Sequence, residues 1–226
     1  FADKARKQKE YSQSFLHDTE FKAWCDEWLV MKRENEEIDE TTEESYSRNI
    51  KKHILPVMPQ NIKLSEVMVY HVKNVLRSIK HSRTKEYTYT ILNNIFSDAK
   101  FEQKITINPC DFVKKPKHTP VSAEVISPED YLRIMEIIKG TQMYYLFNFA
   151  LDTGARRGEI AGAKWSAFSS KKAEIEVFQA IKKTKKKGEY LGSTKSEYSV
   201  RVLPLTKDGI QNLLEWKKIL HKMLFK

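Results

Sequence analysis

The sequence predicts a mainly helical protein with a small antiparallel β-sheet in its C-terminal half. Between residues 17 and 112, apolar side chains recur at the spacing of amphipathic helices. A Lys- and Pro-rich stretch at 113–126 has no apolar period and is interpreted as an extended basic linker. Beyond residue 173, apolar and polar residues alternate as they do in strands. We therefore expect a basic N-terminal extension (1–16), a helical domain (17–112), the linker (113–126) and a second domain (127–226).

The first domain is expected to be a small bundle of four short helices with brief connections. Asp18 or Thr19 can cap the first helix, and the pattern Thr41-x-x-Glu44 is a capping box for the second. In chain order the predicted helices cover residues 17–31, 41–55, 65–79 and 84–104.

The second domain opens on Ser127-Pro128-Glu129-Asp130, a strong helix start with Ser at the N-cap. The run from Met143 to Leu151 is apolar on nearly every face and predicts a central helix. Strands are expected at 174–178 and 200–204, and the stretch 190–194 is expected to pair with the latter. A last helix spans 206–225.

Composition restricts the class of partner. The 226 residues carry 40 basic and 30 acidic side chains, a net charge of +10. Such a charge predicts a polyanionic partner. Nucleic acid is the leading candidate, and an acidic membrane surface is the second. No apolar run approaches the roughly 20 residues of a transmembrane helix, and no signal peptide is recognisable, so a soluble intracellular protein is expected. The start at Phe1 instead of Met predicts that this is a fragment.

The octapeptide 153–160, Thr-Gly-Ala-Arg-Arg-Gly-Glu-Ile, is the most informative motif. It places Arg156 and Glu159 between two helical patterns, where both are expected to be buried. A guanidinium cannot shed its proton and needs anionic partners. Two interpretations stay open: an internal ion pair with Glu159, or a pocket that holds the oxygens of a phosphodiester.

With these residues in place, the chain resembles the tyrosine recombinases, the integrases of phages and conjugative elements. The octapeptide matches the first box of that family, Thr-Gly-x-Arg-x-x-Glu-Leu, with Ile160 for leucine. A second match is Thr194-Lys195-Ser196, followed by Arg201 and then Pro-Leu at 204–205. Ala163 and Ala167 depart from the usual leucine and aspartate. The resemblance covers essentially the whole chain.

The resemblance implies a fold and a reaction. It implies a SAM-like core-binding domain joined to a mixed α/β catalytic domain. These enzymes cut and rejoin DNA through a 3′-phosphotyrosine, with no metal or cofactor expected. By that resemblance Arg156 would grip the phosphate oxygens, Lys195 would protonate the leaving 5′-oxygen, and Glu159 would orient Arg156. The alternative for Lys195 is a solvated turn lysine; its spacing to Arg201 favours the catalytic interpretation.

The later motifs of the family, His-x-x-Arg and the nucleophilic tyrosine, have no match in this chain. We therefore expect the second domain to be the N-terminal half of a catalytic domain, inactive alone. An alternative function is a non-catalytic, truncated integrase relative that occupies or antagonises recombination sites. A third is a helical scaffold whose basic face meets RNA or acidic protein, although no RNA-module signature is present.

The expected partner is double-stranded DNA at a recombination site in the bacterial cytoplasm or nucleoid. Self-association as a tetramer on DNA is expected by family analogy, and no membrane is expected. Seven carboxylates between residues 34 and 44 must face away from DNA or form a protein contact. For each DNA-contact candidate taken singly, contact with DNA and an ordinary solvated side chain are about equally good interpretations. The candidates are Arg48, Lys51, Lys52, Arg83, Thr84, Lys85, Tyr87, Lys114, Lys115, Lys117, Lys182 and Lys183.

Overall fold

The structure is a computed structural model that describes residues 19–120, 125–193 and 200–224. The chain divides into two compact units, Phe1–Ser122 and Ala123–Lys226, called here the N-terminal and C-terminal units. The division falls inside the segment that composition predicts to be a linker. Within the described residues, no helix combines the length and the apolarity needed to cross a bilayer.

All four predicted helices of the N-terminal unit are present. Their bounds are α1 (Phe21–Glu34), α2 (Glu40–Asn49), α3 (Val69–Ser78) and α4 (Ser82–Phe101), with a π-helical turn, Ile50–Ile54, continuing α2. Glu20 occupies the N-cap of α1 without a capping side chain. The predicted cap at Thr19 is therefore wrong, and Asp18 lies outside the described residues. Asp39 caps α2 by accepting from the Thr42 N–H at 2.9 Å, because a carboxylate at that position can bond an N–H that the helix leaves unpaired.

The core of the N-terminal unit forms where the apolar stripes of these helices meet. Trp24 and Trp28 on α1 are fully buried. Each indole N–H finds an acceptor on α4: the Ile95 carbonyl at 3.1 Å for Trp24, and the Asp98 carboxylate at 2.6 Å for Trp28. Phe21 and Phe96 stack with ring centroids 5.5 Å apart. Apolar burial and satisfied indoles together hold α1 against α4.

The chain that follows α4 turns back along it. Residues 110–118 are called here the α4 strap. The Tyr89 hydroxyl donates to the Cys110 and Val113 carbonyls, both at 3.2 Å. Further along, Lys115 Nζ lies 3.8 Å from a Glu86 carboxylate oxygen. The next contact is 2.9 Å, between His118 Nδ1 and the Ser82 hydroxyl. These contacts step from the middle of α4 to its N-terminus, so the strap runs antiparallel to the helix.

The C-terminal unit alternates helices and strands. In chain order its described elements are α5 (Pro128–Ile138), α6 (Gln142–Thr153), α7 (Arg157–Gly162), β1 (Phe168–Ser169), β2 (Glu174–Val177), β3 (Gln179–Thr184), β4 (Gly188–Ser193), β5 (Arg201–Pro204) and α8 (Lys207–Leu224). The Ser127 hydroxyl accepts from the Asp130 N–H at 3.0 Å. The predicted helix start at Ser127 is confirmed.

The strands form a three-stranded antiparallel sheet of order β1-β2-β5 and a separate hairpin of β3 and β4. In the sheet, Ile175 pairs with Leu203, and both side chains are buried. In the hairpin, Gly188 adopts a φ of 69° at the turn, which lets the chain reverse tightly between β3 and β4. The predicted pairing of residues 190–194 with the strand at 200–204 is therefore wrong within the described residues, because this turn joins β4 to β3 instead.

Helix α6 is less buried than its composition predicts. Phe149 is its only fully buried residue, whereas Met143 and Leu151 are 48% and 57% exposed. Helix α6 contacts α5, α7 and α8. Tyr145 stacks on Trp216 of α8, with ring centroids 6.3 Å apart. The prediction of a helix is confirmed, and most of its side chains are half-buried.

Candidate phosphate-binding site and basic surfaces

A sharp turn between α6 and α7 positions the octapeptide. Gly154 ends α6 in the left-handed conformation, with a φ of 61°. The Thr153 hydroxyl donates to the Phe149 carbonyl at 2.6 Å and accepts from the Ala155 N–H at 3.2 Å. Arg156 is then extended, with φ −68° and ψ 150°, and forms the N-cap of α7. The Thr-Gly pair therefore redirects the chain so that Arg156 stands at the start of a new helix.

Glu159 lies at the centre of this site. Its carboxylate is 4% exposed and accepts from the Arg156 backbone N–H at 2.8 Å and from Arg156 Nη1 at 3.0 Å. It also accepts two parallel bonds from Arg201, Nη1 to Oε1 at 2.9 Å and Nη2 to Oε2 at 2.8 Å. The Arg201 hydrogen bonds, followed by those of Arg156, lower the pKa of Glu159 to about 2 against the opposing effect of burial. The same pairing raises the pKa of Arg201.

The two arginines differ in exposure. The Arg156 side chain is 74% exposed, whereas that of Arg201 is 31% exposed. The expectation of a buried Arg156 is therefore wrong, because the N-cap position directs its side chain outward and only Nη1 reaches back to Glu159. Of the two interpretations of the octapeptide, the internal ion pair belongs mainly to Glu159 and Arg201. Arg156 presents most of its guanidinium to solvent.

Two glycines let α7 lie directly on strand β3. A Cβ on Gly158 would stand 2.9 Å from the Ile181 carbonyl oxygen, and one on Gly162 would stand 3.0 Å from the Ala180 Cα. Gln179 also donates its amide N–H to the Gly162 carbonyl at 2.6 Å. The backbone of the hairpin therefore contacts the helix that begins at Arg156. This packing fixes the β3–β4 hairpin next to the arginine site.

Lys195, the candidate general acid, lies outside the described residues. The segment that contains it is bounded on both sides by described strands. Strand β4, which pairs with β3, ends at Ser193, and strand β5 begins at Arg201. Arg201 is a residue of this site to which the sequence analysis gave no role of its own. In the sequence it appears only as part of the second motif match and as a charged side chain between Val200 and Val202.

The DNA-contact candidates of α2 and α4 come together at one place. The Ser45 and Tyr87 hydroxyls are 3.0 Å apart, and the Tyr46 and Tyr87 rings are tilted with centroids 6.1 Å apart. These contacts hold the C-terminal half of α2 beside the N-terminal half of α4. The candidates in these segments that are exposed are Arg48, Lys51, Lys52, Arg83 and Tyr87, and those that are half-buried are Thr84 and Lys85.

The α4 strap adds more positive charge to the same half of α4. Lys114, Lys115 and Lys117 are exposed, and the contacts of the strap with Glu86 and Ser82 place them along that helix. The sequence presents the α4 residues and the linker lysines as separate groups. In the structure both groups lie against the N-terminal half of α4. We call the candidates on α2, α4 and the strap the α2–α4 basic surface.

The hairpin lysines have protein partners. Lys183 Nζ lies 2.9 Å from a Glu189 carboxylate oxygen across the β3–β4 pair. The aliphatic chain of Lys182 covers Gly192, where an added Cβ would meet its Cδ at 2.8 Å. Part of the charge that the sequence assigns to DNA contact is therefore used within the hairpin. Among the described His, Cys, Asp and Glu residues, no three are grouped so that they could hold a metal ion.

Comparison with known proteins finds similarity in both sequence and fold. Residues 20–80 match the phage integrase N-terminal SAM-like domain. A tyrosine recombinase XerC-like protein of Caldanaerobacter subterraneus subsp. tengcongensis is 29% identical over 168 residues, 68% of this chain and 43% of that protein. The ICEBs1 integrase of Bacillus subtilis is 26% identical over 149 residues, 65% of this chain and 40% of that protein. Over these ranges the chain is similar to a tyrosine recombinase XerC-like protein and to an integrase. It spans less than half the length of these two curated relatives.

Solved structures of integrases share the fold. The Tn1549 transposon integrase in complex with a circular intermediate DNA superposes with a TM-score of 0.69 at 18% identity, covering 85% of this chain and 64% of that one. A lambda integrase dimer bound to a core site superposes with a TM-score of 0.67 at 19% identity, covering 90% of this chain and 56% of that one. A lambda integrase tetramer bound to a Holliday junction superposes with a TM-score of 0.62 at 19% identity, covering 80% of this chain and 52% of that one. At these identities the likeness is one of fold.

Proposed function

We propose that this chain binds duplex DNA and supplies part of a strand-transfer site that cuts and rejoins it through a 3′-phosphotyrosine. The observation that carries the proposal is the pairing of an exposed guanidinium with a buried carboxylate. Arg156 is held at its backbone N–H and at Nη1 by Glu159, while 74% of its side chain is exposed. A guanidinium that is held by a buried carboxylate and is otherwise exposed to solvent is suited to bind an anion such as a DNA phosphate.

The role proposed for Arg156 follows from the charge that develops in the reaction. Attack on a phosphodiester places negative charge on the two non-bridging oxygens. A planar guanidinium can donate to both of them, and a donor that is already fixed needs no reorganisation when the charge appears. Loss of one such donor typically lowers the rate about 100- to 1000-fold. Glu159 orients Arg156 and does not itself contact the phosphate.

Lys195 is proposed as the general acid that protonates the departing 5′-oxygen. An ammonium group can fill this role because its pKa responds to nearby charge. The support is its place in the chain, between a hairpin that packs on α7 and a strand whose first residue bonds Glu159. The nucleophile is proposed to be a tyrosine of a further segment, since the relatives that match this chain extend beyond the part it covers.

The α2–α4 basic surface is proposed to bind the phosphate backbone of the duplex. Its charges come from two helices and a strap that are mutually anchored, so their spacing is fixed before DNA arrives. Lys182 and Lys183 are proposed to reach DNA only as secondary contacts, because both already have partners in the hairpin. By analogy with the lambda integrase tetramer on a Holliday junction, the assembled form on DNA is proposed to be a tetramer, in the bacterial cytoplasm at the nucleoid.

The salt dependence of DNA binding tests the proposed surface. Each neutralised phosphate contributes about 0.9 to the slope of log affinity against log salt concentration. Replacing Lys114 and Lys117 together by Gln should therefore lower the slope by nearly twice that amount in a fluorescence-anisotropy titration with a duplex. The control is Lys22→Gln on α1, a lysine whose side chain is 70% exposed, which should leave the slope unchanged. Equal slopes for the strap variant and the wild type would contradict the proposal.

A further inference from the structure

Arg201 makes the most extensive contact with the buried carboxylate of the site. It is the first residue of β5, and its backbone pairs with Val177 of β2. Its side chain reaches Glu159, 42 positions earlier in the chain, through two bonds of 2.9 and 2.8 Å. Arg156 makes one side-chain bond to the same carboxylate, at 3.0 Å. The planar fork of Arg201 thus fixes both oxygens of Glu159 at once.

The charge count of this cluster explains why two arginines share one acid. A lone Arg156–Glu159 pair would be neutral, and its attraction for a phosphate would be weak. Arg201 supplies a second positive charge, so that two guanidiniums and one carboxylate leave a net charge of +1. Since Arg201 is 31% exposed and Arg156 is 74% exposed, the positive charge that faces solvent is mainly that of Arg156. A carboxylate has about four lone-pair sites, and the four bonds from the two arginines occupy them.

The position of Arg201 in the chain adds a second consequence. Residue 195 lies six positions before Arg201 in the sequence, in a segment flanked by β4 and β5. On the other side, Glu159 is bonded to the backbone and side chain of Arg156. One carboxylate therefore ties the strand that follows Lys195 to the helix start that carries Arg156.

We propose that Arg201 is a positioning residue of the strand-transfer site: it holds and neutralises Glu159, so that the charge of Arg156 stays directed at the DNA phosphate. This inference rests on the proposed function of Arg156. Arg201 acts through Glu159 and does not contact the reacting atoms. It differs from an ordinary structural ion pair in one respect that can be measured, namely the anion affinity of a neighbouring arginine.

A set of charge variants of this 226-residue chain separates the positioning role of Arg201 from that of an ordinary structural ion pair. The probe is inorganic phosphate, and its binding is followed by NMR through the Nε–Hε signal of Arg156. Arg201→Met leaves a neutral Arg156–Glu159 pair, so phosphate affinity at Arg156 should fall on the order of tenfold. Adding Glu159→Gln to Arg201→Met restores the net charge of +1 and should recover most of that loss. Arg201→Lys keeps the charge without the fork and should stay close to the wild type.

The carboxyl carbon signal of Glu159 gives a second readout that does not depend on phosphate. In the wild type this group should remain ionised throughout the acid range in which the fold persists, and in Arg201→Met it should titrate at a higher pH. The control is Lys172→Met, which removes an exposed ion pair with Glu174 and should change neither signal. Unchanged phosphate affinity and unchanged Glu159 titration in Arg201→Met would overturn the inference.

The two readouts also separate this inference from the proposed function. If the wild-type Arg156 signal does not respond to phosphate, the phosphate site itself is contradicted, and with it the role of Arg201 toward phosphate. If the wild type responds and Arg201→Met responds equally, the site stands and the positioning role fails. If affinity in the double variant stays as low as in Arg201→Met alone, charge compensation through Glu159 is ruled out.

Discussion

The two units of this chain are stabilised in different ways. In the N-terminal unit, the side chains of four helices and their connections form one large apolar core, which includes the fully buried Trp24, Trp28 and Phe96. In the described part of the C-terminal unit, the buried apolar cluster is small and centres on Phe149, Ile175 and Leu203. Several of its apolar side chains are exposed instead, with values of 92% at Val125, 65% at Leu132 and 79% at Ile137.

The difference separates the region with the largest apolar core from the region that holds the candidate phosphate-binding site. The N-terminal unit derives its stability from apolar burial, and its charges lie on the outside, where they are available to a partner. The C-terminal unit holds its candidate site through hydrogen bonds, ion pairs and close backbone packing around Glu159. Sites built on elements with few buried apolar contacts are expected to be less stable locally than a large core. The following substitutions test this contrast.

The largest expected effect is a matched pair of leucine truncations. Leu92 on α4 is fully buried and Leu132 on α5 is 65% exposed. Leu92→Ala should lower the free energy of unfolding of the N-terminal unit by about 3 kcal/mol, because it removes buried methyl groups and leaves a cavity. Leu132→Ala should change that of the C-terminal unit by less than about 0.5 kcal/mol. Urea unfolding followed by hydrogen exchange in each unit measures both, and similar losses would refute the contrast.

The next effect is electrostatic and depends on pH. Glu159→Gln should destabilise the C-terminal unit by about 2 to 3 kcal/mol at neutral pH, because it removes the buried carboxylate that pairs with Arg201 and Arg156. The folded-state pKa of Glu159 is lowered from its ordinary value near 4.5 to about 2. Its stabilising contribution is therefore complete above pH 4.5 and is lost as the pH falls toward 2.

The stability difference between wild type and Glu159→Gln should accordingly shrink on acidification through this interval. Urea unfolding of the C-terminal unit at several pH values measures it. The matched control is Glu189→Gln in the hairpin, an exposed pair with Lys183, which should change the stability little at any pH because solvent screens the pair. A difference that stays constant from neutral pH to pH 3 would show that the Glu159 carboxylate is not the stabilising group.

The smallest of these effects concerns the packing of α7 on the hairpin. Gly162→Ala would place a methyl group 3.0 Å from the Ala180 Cα, so strand and helix must separate slightly. A loss of about 1 to 2 kcal/mol is expected in the thermal unfolding of the C-terminal unit. Ala161→Ser, at an exposed position of the same helix, should stay within about 0.5 kcal/mol. If both variants melt alike, the close approach of α7 to β3 does not contribute to stability.

Local patterns were sufficient for the elements of the N-terminal unit. The periodic stripes that contain Trp24 and Ile91 predicted its helices. In the C-terminal unit, the Ser127 cap predicted the start of α5. The same local reasoning was wrong for Arg156, because exposure at an N-cap depends on which way the chain turns after Gly154. It was also wrong for the partner of β4, because pairing is decided by the turn at Gly188.

Arg201 could not be assigned a role from the sequence, because its contact with Glu159 joins residues 42 positions apart. The hydrophobic periodicity of a sequence gives no information about a contact between a strand residue such as Arg201 and a residue in the first turn of a helix such as Glu159. The α2–α4 basic surface escaped prediction for a similar reason. Hydrogen bonds that Tyr89 and Ser82 form with the strap hold it along α4, whereas composition alone predicts an extended linker.

The most direct test of the central claim is the yield of covalent protein–DNA adduct from a longer protein that carries this chain together with the proposed tyrosine nucleophile. A duplex nicked near the cleavage site traps the phosphotyrosine, and denaturing gels separate the adduct from free DNA. Arg156→Ala should form adduct about 100- to 1000-fold more slowly than the wild type, while its affinity for the duplex falls little. Adduct formation by Arg156→Ala at the wild-type rate would contradict the phosphate-binding role of Arg156.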